Sequence, residues 1–245
     1  MDLKPFNNLT EFNKDNAKVL LNLSFNVSDW SKHNYDDSEL LKINEFNLIS
    51  SLKTYDTYGE KNRKFCAVYY SEKLNILIVC FAGTEFFTEW LDNFDIRQTK
   101  PHFIPVEYNI FLHIQHYNLY NTLRTELIDC IKSCINSETV IICTGHSLGG
   151  SVASICFVDM IINNLLKKRT MYTFAASRTG NTEFANMIDK ENTAFRVANT
   201  EDLVPTLPPP IFDKLIYTHY KGMYFTKNME DLSKNHGDSY TEFLG

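Results

Sequence analysis

The sequence is poor in several features, each of which would have indicated a class of protein. No cluster of lysine and arginine is interleaved with aromatic residues, so the charge pattern of a nucleic-acid-binding surface is missing. The N-terminus has no apolar segment of the kind that a secretory signal needs. The longest apolar stretches, around 76–82 and 155–166, are too short or too interrupted to cross a bilayer. We therefore expect no nucleic-acid partner and no transmembrane segment.

Cysteine pairs of the metal-binding type are also lacking. The six cysteines include no Cys-x-x-Cys pair, which makes zinc ligation a poor interpretation. Cys80 and Cys143 fall in predicted core strands, and Cys130 and Cys134 fall on one predicted helix face. Reduced structural thiols in a cytoplasmic protein explain this pattern best.

Glycine is scarce, with 9 residues in 245, and yet three glycines surround one serine in the segment VIICTGHSLGG at 140–150. An apolar, β-branched run ends at Gly145, Ser147 follows, and a helical pattern begins at Leu148. This order predicts a strand, a tight turn and a helix, with Ser147 in a strained conformation at the apex. Glycine is expected at 145 and 149, because strand and helix approach too closely there for side chains. The alternative is an ordinary glycine-rich turn with an idle serine.

Hydrophobic periodicity predicts helices and strands over the rest of the chain. Helices are expected at 11–24, 37–52, 106–135, 148–168 and 182–190, with a last one from about 239. Strands are expected at 65–70, 74–81, 139–144, 171–174, 194–198 and 217–225, the first two as a hairpin. Strands that alternate with helices imply a mainly parallel sheet with helices on both faces. We expect one α/β domain over 1–245, in which 1–60 forms a helical N-terminal cover.

A nucleophilic serine needs a base within hydrogen-bond reach, and that base needs an orienting acid. With the nucleophile on this kind of turn, the chain order is serine, then acid, then histidine. That order sets aside four earlier histidines as surface or helix residues: His33, His102, His113 and His116. His146 is excluded as the base, because neighbours on a tight turn point apart. His219 and His236 remain.

The acid is expected in the polar turn that follows the strand ending at Ala198. Glu201 and Asp202 stand in this turn, and the prolines after them forbid further regular structure. Ligand-handling residues of open parallel sheets lie at such carboxyl ends of strands. Both acids are plausible, as is a solvated acidic turn without a role.

Four segments, in this order, resemble the class 3 lipases, which are α/β-hydrolases related to the filamentous-fungal triacylglycerol lipases. They are VCFAGTE from Val79 (followed by WLDN), TGHSLGG from Thr144, YTFAASRTGN from Tyr172 and RVANTEDLVPTLPP from Arg196. Four ordered motifs are more specific than one. The resemblance covers roughly 62–245 and implies an α/β-hydrolase fold. Two positions depart from the family: Ala82 stands where most relatives carry arginine, and Ser177 where proline is usual.

The resemblance implies a role for each of the candidate site residues. Ser147 would be the nucleophile and Asp202 the acid, while His236 is favoured over His219, which resembles a structural strand position. The backbone N–H of Leu148, next to the nucleophile, and Thr84, after the strand ending at Phe81, would stabilise the oxyanion. No metal or organic cofactor is implied.

A lid is expected directly after Thr84. Four apolar residues of this segment can share one face of a short helix: Phe86, Phe87, Trp90 and Leu91. In relatives this segment covers the acyl-binding cleft and opens at a lipid surface; the alternative is permanent packing into the core. The sequence thus predicts a serine carboxylic-ester hydrolase that cleaves lipid esters (an acylglycerol lipase), at a membrane or droplet surface. The alternatives are an esterase for non-lipid esters and a non-catalytic, lipase-like binding or signalling module.

Overall fold

Seven strands of the described chain form the central sheet. The computed structural model describes residues 2–6, 8–54, 63–84, 95–165 and 167–245. The sheet strands are β1 (Asn47–Thr54), β2 (Arg63–Ser71), β3 (Ile76–Phe81), β6 (Val140–His146), β7 (Arg169–Phe174), β8 (Ala194–Asn199) and β11 (Gly222–Phe225). Their order across the sheet is β1-β2-β3-β6-β7-β8-β11. Two small ladders pair β4 (Gln98–Thr99) with β5 (Leu112–His113), and β9 (Ile211–Phe212) with β10 (Leu215–Ile216).

The five strands from β3 to β11 run parallel, and β1 and β2 continue the sheet in the antiparallel sense. Strands β3 and β7 are buried along their whole length, as expected of parallel strands covered on both faces. Parallel pairing brings the carboxyl ends of β3, β6 and β8 to one edge of the sheet. Phe81, His146 and Asn199 end these strands, so the loops that follow them lie at the edge where such sheets bind ligands.

The described residues contain six α-helices: α1 (Lys14–His33), α2 (Ile114–Cys134), α3 (Leu148–Ile162), α4 (Thr182–Asp189), α5 (Leu232–His236) and α6 (Asp238–Leu244). Helix α1 packs on β2, β3, β6 and β7, while α3 packs on β3, β6 and β7. Among these helices, none is long and apolar enough to cross a membrane. The predicted α/β architecture, a mainly parallel sheet with helices, is confirmed.

The predicted helix at 37–52 is wrong, so the N-terminal segment is not helical throughout. A single 3₁₀ turn at Asp37–Glu39 and strand β1 occupy this stretch. Glu45 has a φ of 69°, which no right-handed helix accommodates. Burial alternates along β1, where Leu52 and Thr54 are buried and Lys53 between them is exposed. The apolar residues that suggested helical spacing belong partly to a buried loop and partly to this edge strand.

Two other helices are shorter than predicted, and the remaining elements differ mainly at their ends. The helix expected over 106–135 begins only at Ile114, because residues 112–113 form β5 and the His113 N–H donates to Thr179 O at 2.8 Å. The helix expected over 148–168 ends at Ile162, and Asn164 turns the chain with a φ of 48°. Helix α1 extends beyond its predicted end to His33, and β11 is confined to 222–225. The helix expected from about 239 is confirmed at Asp238–Leu244, and an unpredicted short helix, α5, precedes it.

Candidate active site

Ser147 stands at a sharp turn between β6 and α3, with φ 58° and ψ −127°. This conformation is rare for a residue with a side chain, and it persists only where the surroundings enforce it. A Cβ at Gly145 would lie 2.3 Å from the carbonyl carbon of Gly149, and one at Gly149 would lie 2.2 Å from Phe81 O. Both glycines are therefore required by close approach, as predicted. The close approach of Gly149 to Phe81 O also shows that the first turn of α3 packs directly against the end of β3.

The segment after β3 lies directly beside this turn. A Cβ at Gly83 would lie 2.9 Å from His146 O and 3.6 Å from the Cβ of Ser147. The Gly83 N–H donates to the Ser28 hydroxyl at 2.7 Å, which anchors the segment to α1. Because that N–H is engaged, the next residue, Thr84, and Leu148 at the start of α3 remain the candidates for oxyanion donors. Their role is still a prediction.

An arginine from another strand supports the same segment. Nη2 of Arg63, the first residue of β2, donates to Gly83 O at 3.3 Å, and its Nε donates to the Ser31 hydroxyl at 3.0 Å. Ala82 itself is held by a backbone bond to Phe65 O at 2.8 Å. A guanidinium thus braces this loop, although the family's usual arginine position holds alanine.

Asp202 and His236 meet at the carboxyl edge of the sheet. Nδ1 of His236 lies 2.9 Å and 3.1 Å from the two carboxylate oxygens of Asp202. Since a carboxylate only accepts, Nδ1 carries the proton, and the neutral imidazole then keeps its lone pair on Nε2. Asp202 is buried, whereas Glu201 is exposed. The pairing favours Asp202 over Glu201 and gives His236 the tautomer that a general base needs.

His219 has a different environment. Its Nε2 lies 2.7 Å from Pro205 O, and burial lowers its pKa to about 3. A ring held to a backbone carbonyl in this way stabilises the proline-rich loop. It does not contact Asp202 through any hydrogen bond of the described residues.

Two further groups, which the sequence did not indicate, hold the Asp202 carboxylate. The Tyr240 hydroxyl donates to Oδ2 at 2.8 Å, and the Val204 N–H donates to Oδ1 at 3.0 Å. Burial, and next the nearby Asp202 charge, raise the pKa of Tyr240 well above its usual value, so the phenol stays protonated. A carboxylate with these donors is fixed in place.

His146 contacts the candidate base through the backbone. Its Nε2 lies 2.6 Å from His236 O, and the centroids of the two imidazole rings are 4.6 Å apart. Burial, and then the neighbouring His236, lower the pKa of His146 well below its usual value. His146 is therefore neutral and donates its Nε2–H to the carbonyl. The exclusion of His146 as the base stands, but this contact is tertiary and has no signal in the sequence.

These elements border one cleft of about 1010 Å³. Its described lining comprises Phe25, Ser28, Asp29, Gly83, Thr84, His146, Leu203, Glu230, Asp231, Leu232, Ser233, His236 and Gly237. Helix α1 forms one wall, the end of β3 another, and the segment 230–237 a third. The lining includes three carboxylates, and none of these described residues is a lysine or arginine. Lid residues Phe86, Phe87, Trp90 and Leu91 lie outside the described residues.

The histidines set aside by chain order do not all lie where they were expected. His33 ends α1 and His102 is exposed, as predicted. His113, however, is neither on the surface nor in a helix: it belongs to β5 and is fully buried. It stacks on the equally buried His116 of α2, with ring centroids 4.1 Å apart.

The comparison with protein families decides the relationship of this chain. The family described as Lipase (class 3) matches residues 78–212, more than half of the chain. The chain belongs to the class 3 lipase family. The matched range contains Ser147 and Asp202, while His236 lies beyond its end.

Individual relatives of this chain agree with that assignment. A lipase of Rhizomucor miehei is 26% identical over 222 residues, which cover 84% of this chain and 55% of that protein. A phospholipase A1-II 5 of Oryza sativa subsp. indica is 34% identical over 98 residues, covering 35% of this chain and 21% of that protein. The chain thus spans between a fifth and about half of the length of these two curated relatives.

Solved structures share the fold of this chain, which confirms the predicted α/β-hydrolase fold. A triacylglycerol lipase, whose catalytic centre is described as a serine protease triad, superposes with a TM-score of 0.70 at 21% identity, covering 88% of this chain and 81% of that chain. A mono- and diacylglycerol lipase from Aspergillus oryzae gives a TM-score of 0.69 at 18% identity, covering 92% and 85%.

Proposed function

We propose that this class 3 lipase is a serine carboxylic-ester hydrolase that acts on lipid esters. The observation that carries the proposal is the pair of hydrogen bonds from His236 Nδ1 to Asp202, in a cleft that adjoins the strained Ser147. In the first step, His236 Nε2 takes the proton of the Ser147 hydroxyl as its oxygen attacks the ester carbonyl. His236 then gives that proton to the leaving alcohol, and Ser147 keeps the acyl group. Water, deprotonated by His236, releases the acid and regenerates the serine.

Two backbone groups stabilise the charge that develops on the carbonyl oxygen. The N–H groups of Leu148 and Thr84 take this role in the proposal, because the turn at Ser147 and the end of β3 are in contact. Each such donor lowers the barrier by about 3–4 kcal/mol, because it is oriented before the reaction begins.

Among lipid esters, we propose a neutral acylglycerol rather than an anionic phospholipid. The relatives include both acylglycerol lipases and phospholipases A1, so the family alone does not decide. Asp29, Glu230 and Asp231 line the cleft, and its described lining carries no lysine or arginine to bind a phosphate. A phosphate group near these carboxylates is repelled, whereas a neutral glycerol ester is not.

The substrate is proposed to be taken from a membrane or droplet surface, because long-chain acylglycerols do not dissolve as monomers. Phe25, Leu203 and Leu232 line the cleft as apolar groups, and Leu203 and Leu232 are also exposed to solvent. Opening of a lid over 85–94 at that surface remains a hypothesis. Equal turnover of monomeric and aggregated ester would contradict it.

A reducing compartment is proposed on the basis of the thiols. All six cysteines are free, and Cys66, Cys80, Cys143 and Cys156 are buried. A thiol reagent should titrate at most the two half-buried cysteines, Cys130 and Cys134, in the native protein, and all six after unfolding. Fewer than six reactive thiols in the unfolded, unreduced protein would reveal a disulfide.

Labelling and turnover test the catalytic proposal together. A fluorophosphonate probe should modify Ser147, and Ser147→Ala should lower the turnover of a soluble short-chain ester by more than about 10³-fold. The control is Ser154→Ala, which removes a buried hydroxyl from α3, the helix that begins directly after Ser147. Folded parent protein that neither reacts with the probe nor hydrolyses esters would favour the non-catalytic binding module.

The same assay tests the head-group preference. A neutral diacylglycerol should be cleaved faster than an anionic phosphatidylglycerol with the same acyl chains. Neutralising two of the carboxylates that line the cleft, in the double variant Asp29→Asn/Glu230→Gln, should bring the two cleavage rates closer together. An unchanged ratio would remove the electrostatic argument and leave the hydrolase proposal intact.

A further inference from the structure

The hairpin formed by β9 and β10, residues 211–216, exposes an unusual amount of apolar surface. Ile211, Phe212 and Ile216 are 73%, 50% and 52% exposed. Ile211 and Ile216 are paired across the ladder, so their side chains lie next to each other on one face. Single exposed apolar residues are ordinary in soluble proteins, but three within six residues, two of them on one face, make this hairpin an apolar surface of the kind that marks an interaction site.

The hairpin is fixed at the edge of the sheet that carries the active-site cleft. It follows the loop that holds Asp202 and the cleft-lining, exposed Leu203. On its other side, the Gln98 amide donates to Ile216 O at 2.8 Å, and the Tyr217 hydroxyl donates to Ile96 O at 2.8 Å. These two hydrogen bonds hold the C-terminal end of the hairpin against residues 96–98.

The chemistry of the hairpin suits a lipid surface. Its strands pair with each other on either side of a two-residue turn at Asp213 and Lys214. The ladder at Ile211 and Ile216 therefore meets an apolar phase with few unpaired peptide groups, while the charged turn residues stay in the polar interface. The two turn residues carry opposite charges that cancel. The nearby cleft lining carries carboxylates without described lysine or arginine, and the whole chain has a net charge of −6. An anionic membrane would repel this side of the molecule, whereas an uncharged or zwitterionic one would not.

We propose that the 211–216 hairpin is the lipid-surface anchor of this protein, and that Ile211, Phe212 and Ile216 enter the outer layer of a neutral or zwitterionic lipid surface. The anchor holds the cleft entrance against the phase that contains the substrate. This inference rests on the proposed function, since it identifies how a lipid-ester hydrolase would reach its substrate.

Vesicle binding tests the anchor. The Ser147→Ala protein, which does not consume lipid, is sedimented with phosphatidylcholine vesicles, with and without Ile211→Ser/Ile216→Ser. The double variant should bind about tenfold more weakly or worse, because two large aliphatic side chains no longer transfer from water into lipid. The control is Ile49→Ser on the edge strand β1, 42% exposed, which should bind like the parent. Adding phosphatidylglycerol to the vesicles should not strengthen binding.

The same changes in the Ser147 protein separate this inference from the proposed function. Both variants should hydrolyse a soluble short-chain ester at the parent rate, while only the hairpin variant should lose activity on an emulsified one. If the parent does not hydrolyse the soluble ester, the proposed function fails, and vesicle binding still decides the anchor. If turnover is intact and the hairpin variant binds vesicles as tightly as Ile49→Ser, the anchor is refuted alone.

A second measurement does not depend on whether the Ile211→Ser/Ile216→Ser variant folds. Ile211→Trp should show a blue-shifted emission with phosphatidylcholine vesicles and quenching by brominated lipid, and Ile49→Trp should show neither. Absence of both signals at 211 would refute the anchor. A dimer in solution that Ile211→Ser/Ile216→Ser dissociates, with vesicle binding unchanged, would also refute it and identify a second copy of this chain as the occupant.

Discussion

His146 offers the sharpest test of how the candidate base is positioned. His146→Phe keeps an aromatic ring among Phe25, Tyr240 and the His236 imidazole, whose centroids lie 4.8 Å, 6.0 Å and 4.6 Å from that of His146. It removes only the N–H that donates to His236 O at 2.6 Å. The lost bond, with its carbonyl left unpaired, is worth about 1–2 kcal/mol. If that energy holds the base in position, kcat should fall about 5- to 30-fold.

Steady-state kinetics on a soluble ester, across pH, measure this effect. The acid limb of the pH profile should keep its midpoint in His146→Phe, because the pKa of His146 lies well below its usual value and the ring is uncharged at neutral pH. His146→Gln, whose amide also donates, should recover most of the loss. Ile155→Val, a buried change in α3, controls for a general loss of stability and should leave kcat unchanged. A kcat within twofold of the parent in His146→Phe would refute the positioning role.

Three further perturbations test the site and the fold. Asp202→Asn should lower kcat by about 10⁴-fold with little change in thermal stability, because an amide N–H facing Nδ1 favours the wrong tautomer of the base; retained turnover would contradict the acid's role. Gly149→Ala should lower the free energy of unfolding in urea by about 3 kcal/mol or more, since its Cβ would lie 2.2 Å from Phe81 O. Burial lowers the pKa of His113 to about 3 and that of His116 well below its usual value. The unfolded chain therefore binds more protons below about pH 6.5, and stability should fall by about 1.4 kcal/mol per pH unit for each histidine as the solution is acidified, a slope that His113→Phe/His116→Leu should flatten.

The active-site turn could be predicted from the sequence because its determinants are local. Its determinants lie within a few residues of one another: the β-branched run, Gly145, Ser147 and Gly149. The run favours a strand, and the two glycines allow the close approach of strand and helix, whatever the rest of the fold. The choice of Asp202 over Glu201 came from the family pattern, and burial now supplies a physical reason for it. Chain order then limited the base to His219 or His236.

Tertiary contacts were not predictable in this way. The hydrogen bonds of Asp202 with Tyr240, 38 residues away, and of His236 with His146, 90 residues away, leave no trace in local spacing. The edge strand β1 was mistaken for a helix because only Leu52 and Thr54 of its eight residues are buried, so its apolar residues give the sequence little period-2 signal. His113 was misjudged because its burial depends on β5 and α2 packing together, which periodicity cannot reveal.

Helix α1 gives the cleft a wall that the family-matched segment does not contain. Phe25, Ser28 and Asp29 face the cleft from this helix, whereas the family match begins at residue 78. Ser28 also braces the reacting centre through its bond with the Gly83 N–H, and Phe25 packs on the ring of His146, with centroids 4.8 Å apart. Asp29 makes neither contact, so it can change without disturbing the bond-breaking groups. Selectivity for the acyl or alcohol part of a substrate can therefore evolve, or be engineered, in a stretch of chain that precedes all of the chemistry.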